Sequence, residues 1–283
     1  MVFKLIKALL LATASAVLAA CNGHVNLDVT DAPVDELKNV FVQFSSVTLQ
    51  PAAASAVTIT FNPPLTLDLL ALEGGGTSRL LDSQRVTDGN YDSITLAVNA
   101  GATGKDSYVV LSDGTQQPLT LGASGGLTLT SGFSVKTDTT KNYVIDFNLR
   151  KSVLDPATGT TAYRLQPTLR LVDADNSGSI AGTFAAAGAS GCKPAVYVYA
   201  GSGATLGDEG SSNAPLTSAR VKAQATTPVT YAYTVAFLDP GTYTVATTCQ
   251  ADQDSADIAN ESIGLQNAVN VSVTSGATTT ANF

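Results

Sequence analysis

Short runs in which apolar and polar residues alternate cover most of this chain, and turn-forming residues separate the runs. The segments 25–29, 143–149 and 269–273 each place an apolar side chain at every second position. A period of two residues is that of a strand with one face in a protein core. Many such strands at regular spacing, with turn signals between them, indicate a β-sandwich or a barrel. The sequence therefore predicts an all-β protein.

The predicted strands fall into two sets that a polar segment separates. About ten strands precede residue 173 and about seven follow residue 180, and each set has the size of a β-sandwich. The segment 174–179 between them is polar and is predicted to be a linker. We therefore predict two β-sandwich domains in series, at 27–173 and 180–283.

Two local signals within the first set are specific. Asp113-Gly114 lies between two apolar runs, and Asp-Gly supplies the positive φ angles that a two-residue hairpin turn needs. A hairpin is therefore predicted over 108–121. Pro63-Pro64 follows the alternating run that starts at Val57, and it is predicted to end that strand.

The N-terminus has the three parts of a bacterial lipoprotein signal. Two lysines are followed by the short apolar run 8–18, and small residues then lead to Cys21. The run is too short to span a bilayer, and a signal for plain secretion would need no cysteine at this point. We therefore predict that 1–20 is removed and that Cys21 carries lipid at the start of a tether over 21–26. Plain secretion is the alternative.

Composition and the residues after Cys21 restrict the location and the partners. Asn22 favours the outer membrane of a diderm envelope, since Asp at this position tends to retain lipoproteins in the inner membrane. The chain has 23 acidic and 15 basic residues, and an acidic surface repels nucleic acid. The one histidine, His24, is predicted to lie in the tether, which disfavours catalysis by a Ser-His-Asp or Cys-His arrangement.

Two further cysteines, Cys192 and Cys249, remain for the folded part. An even number of cysteines in an oxidising compartment indicates a disulfide. The competing interpretation is a metal site or a reactive thiol, but neither cysteine has a second Cys or a His nearby in the sequence. We predict a Cys192–Cys249 disulfide that joins two strands of the second sandwich.

Asp31-Ala32-Pro33 is the most distinctive motif, and Asp35 follows it closely. Proline favours extended geometry in the residue before it, and an Asp ahead of it can cap the next turn through its side chain. A turn that ends the strand is one interpretation of Asp31, Pro33 and Asp35. A carboxylate cluster that holds Ca²⁺ is the other.

A second group of carboxylates follows Cys249. Hard oxygen ligands in one loop are the type of ligand that Ca²⁺ prefers. A calcium site is one interpretation of this loop, and surface acidity for solubility is the other. No other cofactor is predicted. The four residues are Asp252, Asp254, Asp257 and Glu261.

Basic residues cluster near the end of the first set of strands. On strands such side chains face water or pair with the excess of aspartate. The sequence therefore assigns no site to them. They are Arg150, Lys151, Arg164 and Arg170.

The first set of strands resembles a family of uncharacterised bacterial lipoproteins, catalogued as domain of unknown function 4382. The matching pieces begin with the segment from Val29 to Asp35, which contains TDAP, and cover residues 25–172 in order. The others are "VFVQFSSVTLQ", "LTLDLLAL", "GNYDSITLAV", "YVVLSDGTQQPLTL", "VIDFNLRKSV" and "YRLQPTLRLV". The resemblance carries no known activity.

The second set resembles carboxypeptidase-regulatory or prealbumin-like sandwiches. The pieces that carry this likeness are "GSIAGTF", "AVYVYAG", "YTVAFLDPGTYTVATTC" and "VNVSVTSGATTTANF". The resemblance implies a spacer or binding module without catalysis of its own.

Together these features predict a membrane-anchored, non-enzymatic envelope lipoprotein with two immunoglobulin-like or prealbumin-like sandwiches. Recognition of a protein or glycan through loops is the favoured role, because loops on a rigid scaffold commonly carry function. The alternative is a structural or assembly role in a cell-surface machine.

Overall fold

The computed structural model describes residues 21–32, 37–102, 106–122, 126–185 and 191–283. The predicted signal 1–20 lies outside the described residues, as do Pro33 and Asp35.

The described part of the first half, 22–173, consists almost entirely of strands. In chain order they are β1 (Asn22–Ala32), β2 (Leu37–Pro51), β3 (Val57–Asp68), β4 (Ser78–Thr87), β5 (Gly89–Asn99), β6 (Tyr108–Leu111), β7 (Gln116–Leu121), β8 (Leu127–Leu129), β9 (Phe133–Val135), β10 (Thr140–Asn148), β11 (Val153–Leu154), β12 (Tyr163–Leu165) and β13 (Leu169–Asp173). A 3-10 turn at Leu69–Leu72 follows β3, and a one-turn helix, α1 (Leu149–Ser152), follows β10.

Two sheets form the sandwich of the first half. One has the order β13-β10-β1-β4, and the other has β11-β12-β7-β6-β2-β5-β8 with β3 beside β2 and β9 beside β5. The predicted alternation holds in β1, where Val25, Leu27 and Val29 are fully buried. Phe44 of β2 and Phe147 of β10 meet between the sheets, edge to face, with ring centroids 6.1 Å apart.

The second half, 178–283, is a smaller sandwich of two four-stranded sheets. Its strands are β14 (Gly178–Phe184), β15 (Ala195–Ala200), β16 (Thr217–Arg220), β17 (Lys222–Ala223), β18 (Tyr231–Leu238), β19 (Gly241–Thr248), β20 (Gln266–Val273) and β21 (Thr278–Thr280). The sheet orders are β17-β18-β14-β21 and β16-β15-β19-β20. Its described buried apolar residues form two clusters, both separate from that of the first half.

The predicted fold class is confirmed, as is the hairpin, in which Tyr108 pairs with Pro118. Its turn is not the predicted type, because Gly114 has a positive φ angle and Asp113 does not. The predicted numbers of strands, about ten and about seven, are lower than those in the structure. Several strands have only two or three residues and give no periodic signal. The linker is shorter than predicted: a 3-10 turn occupies Ala174–Asn176 and β14 starts at Gly178. The domain limits themselves stay a prediction.

Two predictions about the first half were wrong. The tether expected over 21–26 is the start of β1, where His24 lies opposite Thr140 of β10 and Arg85 of β4. Pro63-Pro64 does not end a strand, because β3 continues through it to Asp68. β3 pairs only with β2 among the described strands, and an edge strand tolerates proline because one side of its backbone needs no partner.

Candidate functional site

Two adjacent basic side chains of α1 reach from the first half into the second. The Lys151 ammonium donates to the carbonyl oxygen of Pro215 at 2.7 Å and lies 3.4 Å from a carboxylate oxygen of Glu209. The Arg150 guanidinium donates to the carbonyl oxygen of Ala251, and its Nε lies 3.7 Å from the other oxygen of Glu209. Arg150 and Glu209 are both buried, so the two halves share an ion pair shielded from solvent.

Two other basic side chains of the first half make similar contacts. Arg164 on β12 pairs with Asp257 at 2.8 Å, and this pair is partly exposed. Arg170 on β13 donates to the carbonyl oxygen of Phe237 on β18 at 2.8 Å, and it also pairs with Asp146 at 2.7 Å. The expected pairing with aspartate is confirmed for Arg164 and Arg170. No signal in the sequence indicated that all four side chains contact the second half.

In another contact between the halves, the first half supplies the carboxylate and the second half supplies the cations. Glu73, in the first half, lies 2.5 Å from the ammonium of Lys222 and 3.8 Å from the guanidinium of Arg220. Both cations belong to the second half, on β16 and β17. Each half therefore contributes both cations and carboxylates to the contact.

Glu209 lies in the loop between β15 and β16, and a hydrogen bond to Asp254 holds its backbone. Its N–H donates to one oxygen of Asp254 at 2.9 Å, and the hydroxyl of Tyr197 donates to the other oxygen at 2.7 Å. Burial raises the pKa of Glu209 to about 7, and the charges of Arg150 and Lys151 oppose that rise. Burial also raises the pKa of Asp254, against the hydrogen bonds from Tyr197 and Glu209.

Asp31, of the motif singled out in the sequence, is buried at the end of β1. Neither of its carboxylate oxygens accepts a hydrogen bond within the described part of the chain. Burial raises its pKa well above the ordinary range, the charges of Asp146 and Glu73 add to the rise, and the Leu149 N–H, outside hydrogen-bonding geometry, opposes it. A buried carboxyl without a hydrogen-bond donor favours its neutral form, and the charge of Arg220 opposes this without reversing it.

A small cavity between the halves adjoins Asp31. Its volume is about 10 Å³, close to the space of one water molecule. Asp31, Asp146, Ser218 and Phe237 line it, and the hydroxyl of Ser218 is buried without a described hydrogen-bond partner. The two interpretations of the motif, a turn cap and a calcium cluster, stay predictions. The turn that Asp31 would cap lies at 33–36, outside the described residues.

A cleft of about 130 Å³ opens beside the Arg150–Glu209 pair. Arg150, Asp155, Asp252 and Asp254 are among the residues that line it. This volume is smaller than the roughly 300–1,000 Å³ of sites that enclose a drug-sized ligand. The cleft has room for a few water molecules or a small ion beside side chains of both signs.

The loop predicted to hold calcium places its four carboxylates with different partners. Asp254 is buried against Tyr197, Asp257 pairs with Arg164, and Glu261 accepts from the Ser255 N–H at 2.6 Å. Asp252 lines the cleft. Within the described ranges, no three His, Cys, Asp or Glu side chains come together as metal ligands would. Calcium binding has no preformed site here and stays a prediction.

The predicted disulfide is confirmed. Cys192 and Cys249 are bonded, with their Cα atoms 4.9 Å apart, within the range that such bonds require. The two cysteines lie just outside β15 and β19, which pair with each other, so the bond closes the end of that strand pair.

Cys21 lies at the opposite end of β1 from Asp31. It is exposed, and its carbonyl oxygen accepts a hydrogen bond from the Asp88 N–H at 3.0 Å. An open cavity of about 470 Å³ adjoins it, with His24, Arg85 and Thr137 in the lining. Acylation of Cys21 lies beyond what these contacts test and stays a prediction.

These features define an all-β protein of two sandwiches whose halves contact each other through buried charges. Residues 22–167 match the family model described as Domain of unknown function (DUF4382). The chain belongs to this family. The matched segment, called here the family module, supplies most of the first-half side of the contact. It contains Asp31, Asp146, Arg150, Lys151 and Arg164.

Comparison with solved structures gives distant matches. A leucine-rich repeat protein from Bacteroides thetaiotaomicron is 12% identical, with a TM-score of 0.22, over 93% of this chain and 26% of that one. The TIE protein of Bacillus anthracis is 11% identical, with a TM-score of 0.21, over 93% and 34%. The minor pilin GBS52 of Streptococcus agalactiae is 11% identical, with a TM-score of 0.21, over 91% and 94%. The chain thus spans about a quarter to a third of the length of the first two.

No curated protein sequence matches the chain. Across the described ranges, no helix has the length and apolar character needed to cross a membrane.

Proposed function

We propose that this chain is a lipid-anchored, non-enzymatic protein of the cell envelope that recognises a ligand or a partner protein. The observation that carries the proposal is the position of Cys21. It ends a lipoprotein-type signal, is exposed, and lies at the end of β1 away from the second half. Lipid on this residue leaves the contact between the halves undisturbed. In a diderm cell, Asn22 favours the outer membrane as the site of anchoring.

The buried ionisable groups support a structural role rather than catalysis. Strongly shifted pKa values often mark active sites, but ion-pair networks shift them too. Glu209 faces Arg150 and Lys151 across the contact, and Asp31 faces a cavity with the volume of one water molecule. Glu209 is thus placed to join the halves, and Asp31 is enclosed at their contact.

Exposed apolar residues on loops of the second half support recognition of a partner. Val229 and Ile258 are 52% and 54% exposed, in loops before β18 and before β20. Apolar side chains on loops of a rigid scaffold commonly contribute to binding surfaces. The likeness of this half to prealbumin-like sandwiches implies a spacer or binding module, and the second of these agrees with recognition of a partner.

Two experiments test the proposal. Mass spectrometry of the native N-terminus should show acylated Cys21, and Cys21→Ala should release the protein from membranes. The released protein is then applied to glycan and cell-wall arrays, with Val229→Asp as the binding variant and Val57→Asp, on the first half, as the matched control. Detection of an unmodified mature N-terminus would contradict the anchor, and equal binding by both variants would contradict the assigned loop.

A structural role in a surface assembly is the second candidate. The observation in its favour is the buried Arg150–Glu209 pair, which restrains motion between the halves and suits a spacer of fixed length. Affinity purification of the intact lipoprotein from detergent-solubilised membranes tests it. Recovery of the same envelope proteins at fixed ratio would favour assembly over ligand binding.

A further inference from the structure

The folded sandwich begins directly after Cys21, with no flexible segment between them. Asn22 already pairs with Thr87 of β4, and Gly23 is buried. A Cβ atom on Gly23 would lie 2.4 Å from the carbonyl oxygen of Lys136, so the strand is seated closely against its neighbours. Each extended residue spans at most about 3.5 Å, so a lipid on Cys21 would hold the sandwich within a few ångströms of the bilayer.

We infer that the end of the first sandwich around Cys21 is a docking surface for phospholipid headgroups, with Arg85 and Lys136 as the residues that contact phosphate. This inference rests on the proposed lipid anchor. The surface, called here the anchor end, comprises Cys21, Asn22, His24, Arg85, Lys136, Thr137 and Asp138.

Two cations at the anchor end are available to phosphate groups. Arg85 and Lys136 are both exposed, and Arg85 lies opposite His24 in the β1–β4 pair. Guanidinium and ammonium groups are the usual protein partners of phosphate oxygens. The open cavity of about 470 Å³ that adjoins Cys21 and Arg85 offers space for a headgroup.

Two carboxylates, Asp88 and Asp138, lie near the two cations, and one of them is partly neutralised by a hydrogen bond. Asp88 accepts a hydrogen bond from the hydroxyl of Thr137 at 2.8 Å, so part of its charge is turned inward. Asp138 is exposed. With two cations and two carboxylates the anchor end is close to neutral, in a chain whose formal net charge is −8, so an anionic membrane repels it less than the chain's average surface.

Charges farther along the same sheet decide the orientation. Asp28 and Asp82 flank Arg79 on the outer face of β1 and β4, and the side chain of Asp82 is 83% exposed. If this sheet lay flat on the membrane, the exposed carboxylate of Asp82 would face phosphate, since the single cation Arg79 is shared between Asp82 and Asp28. Contact through the anchor end avoids that repulsion, so β1 points away from the bilayer.

This orientation sets the height of the second half. β1 has 11 residues, and at about 3.3 Å per residue its far end lies roughly 35 Å from Cys21. The contacts with the second half, around Asp31, are made at that far end. The family module then acts as a spacer that holds the second half away from the membrane surface.

The test uses the native lipoprotein in vesicles of phosphatidylethanolamine and phosphatidylglycerol that carry a headgroup quencher. A fluorophore is placed on Thr140→Cys, next to the anchor end, or on Ala225→Cys in the second half, with the native disulfide intact. Both positions are exposed. Docking predicts severalfold stronger quenching at position 140 than at position 225. A flexible Gly/Ser tether of about ten residues, inserted after Cys21, should remove most of that difference.

Charge reversal tests the contact itself. Arg85→Glu should lower the quenching at position 140, whereas Lys38→Glu, an equal charge change near the far end of the sandwich, should not. Both variants keep Cys21 and should stay in the membrane fraction. Equal quenching at positions 140 and 225 in a protein with acylated Cys21 would overturn the docking surface and leave the anchor standing. An unacylated Cys21 would overturn the anchor, and the inference with it.

Discussion

The Nε atom of Arg150 and a carboxylate oxygen of Glu209 lie 3.7 Å apart between the two halves of the molecule, and both side chains are buried. The contact joins the family module to a second sandwich that lies outside the matched segment. A buried pair costs desolvation energy when it forms, so it adds less to stability than its Coulomb attraction suggests. Loss of one partner is far more costly, because the other charge stays in a dry site.

Truncation of Glu209 should therefore destabilise the protein strongly. At pH 8, where the carboxyl is mostly ionised, Glu209→Ala should lower the free energy of unfolding by about 3 kcal/mol, since Arg150 stays buried without its carboxylate. Urea unfolding followed by circular dichroism measures this. The control is Asp82→Ala, which removes an exposed ion pair with Arg79 and should cost less than about 1 kcal/mol. Equal losses in the free energy of unfolding would show that the buried pair stabilises the protein no more than the exposed pair does.

The pH dependence of stability should carry the signature of Glu209. Burial raises its pKa from 4.5 to about 7, so the folded state binds the proton more tightly than the unfolded chain does. Stability from this group should fall as pH rises from 4.5 to 7 and be constant above that, with a total change of at most about 3 kcal/mol. The lowered pKa of Asp175 acts separately, because its contribution is lost only as pH falls below about 4.

Unfolding titrations at several pH values between 5 and 8 measure this slope. Glu209→Gln removes this titrating group and should reduce the fall in stability across that window, and the raised pKa values of Asp31 and Asp254 account for the fall that remains. A wild-type curve that rises with pH from 5 to 7 would contradict a raised pKa at Glu209.

The sequence predicted the sandwich class because its signal is local. The alternation that buries Val25, Leu27 and Val29 can be read without knowledge of any partner strand. The start of β1 gave no such signal, since Asn22, Gly23 and His24 are polar or small. Gly23 is buried by the close approach of another strand, which only the folded chain brings into contact.

The contact between the halves could be predicted only in part. Asp31 stood out as a motif, but its neighbours Glu73, Asp146 and Ser218 come from distant parts of the chain. Arg170 and Arg164 looked like ordinary surface charges, because their partners belong to the other half. A sequence shows which groups are present, and burial decides which of them must pair.

The disulfide should contribute substantially to the stability of the second half. Its cysteines are separated by 57 residues, and the chain-entropy model gives about 4 kcal/mol for a loop of this size. Cys192→Ser with Cys249→Ser should lower the melting temperature in thermal unfolding, and a reductant should lower that of the wild-type protein by a similar amount. Cys21→Ala is the control and should leave the melting temperature of the released protein nearly unchanged.

Asp31→Asn should stabilise the protein at neutral pH. The folded state holds this carboxyl at a raised pKa, so ionisation at pH 7 favours unfolding. Asparagine has nearly the same shape and carries no charge, and Ser218, whose buried hydroxyl has no described hydrogen-bond partner, lines the same small cavity. We expect a gain of about 1 kcal/mol at pH 7, the size of one buried polar group relieved of its desolvation. The gain should shrink as pH falls and vanish only below about pH 3, because the carboxyl of the unfolded chain is still partly ionised at about pH 4.

The matched control for this substitution is Asp146→Asn, in the same cavity. Asp146 pairs with Arg170 at 2.7 Å, so loss of its charge leaves the guanidinium with a weaker partner and should destabilise the protein. If Asp31→Asn raises the free energy of unfolding and Asp146→Asn lowers it, then the charge of Asp146 stabilises the fold and the charge of Asp31 does not. Destabilisation by both variants would instead show that Asp31 is charged and bound to a cation or donor, which would revive the calcium interpretation of the motif.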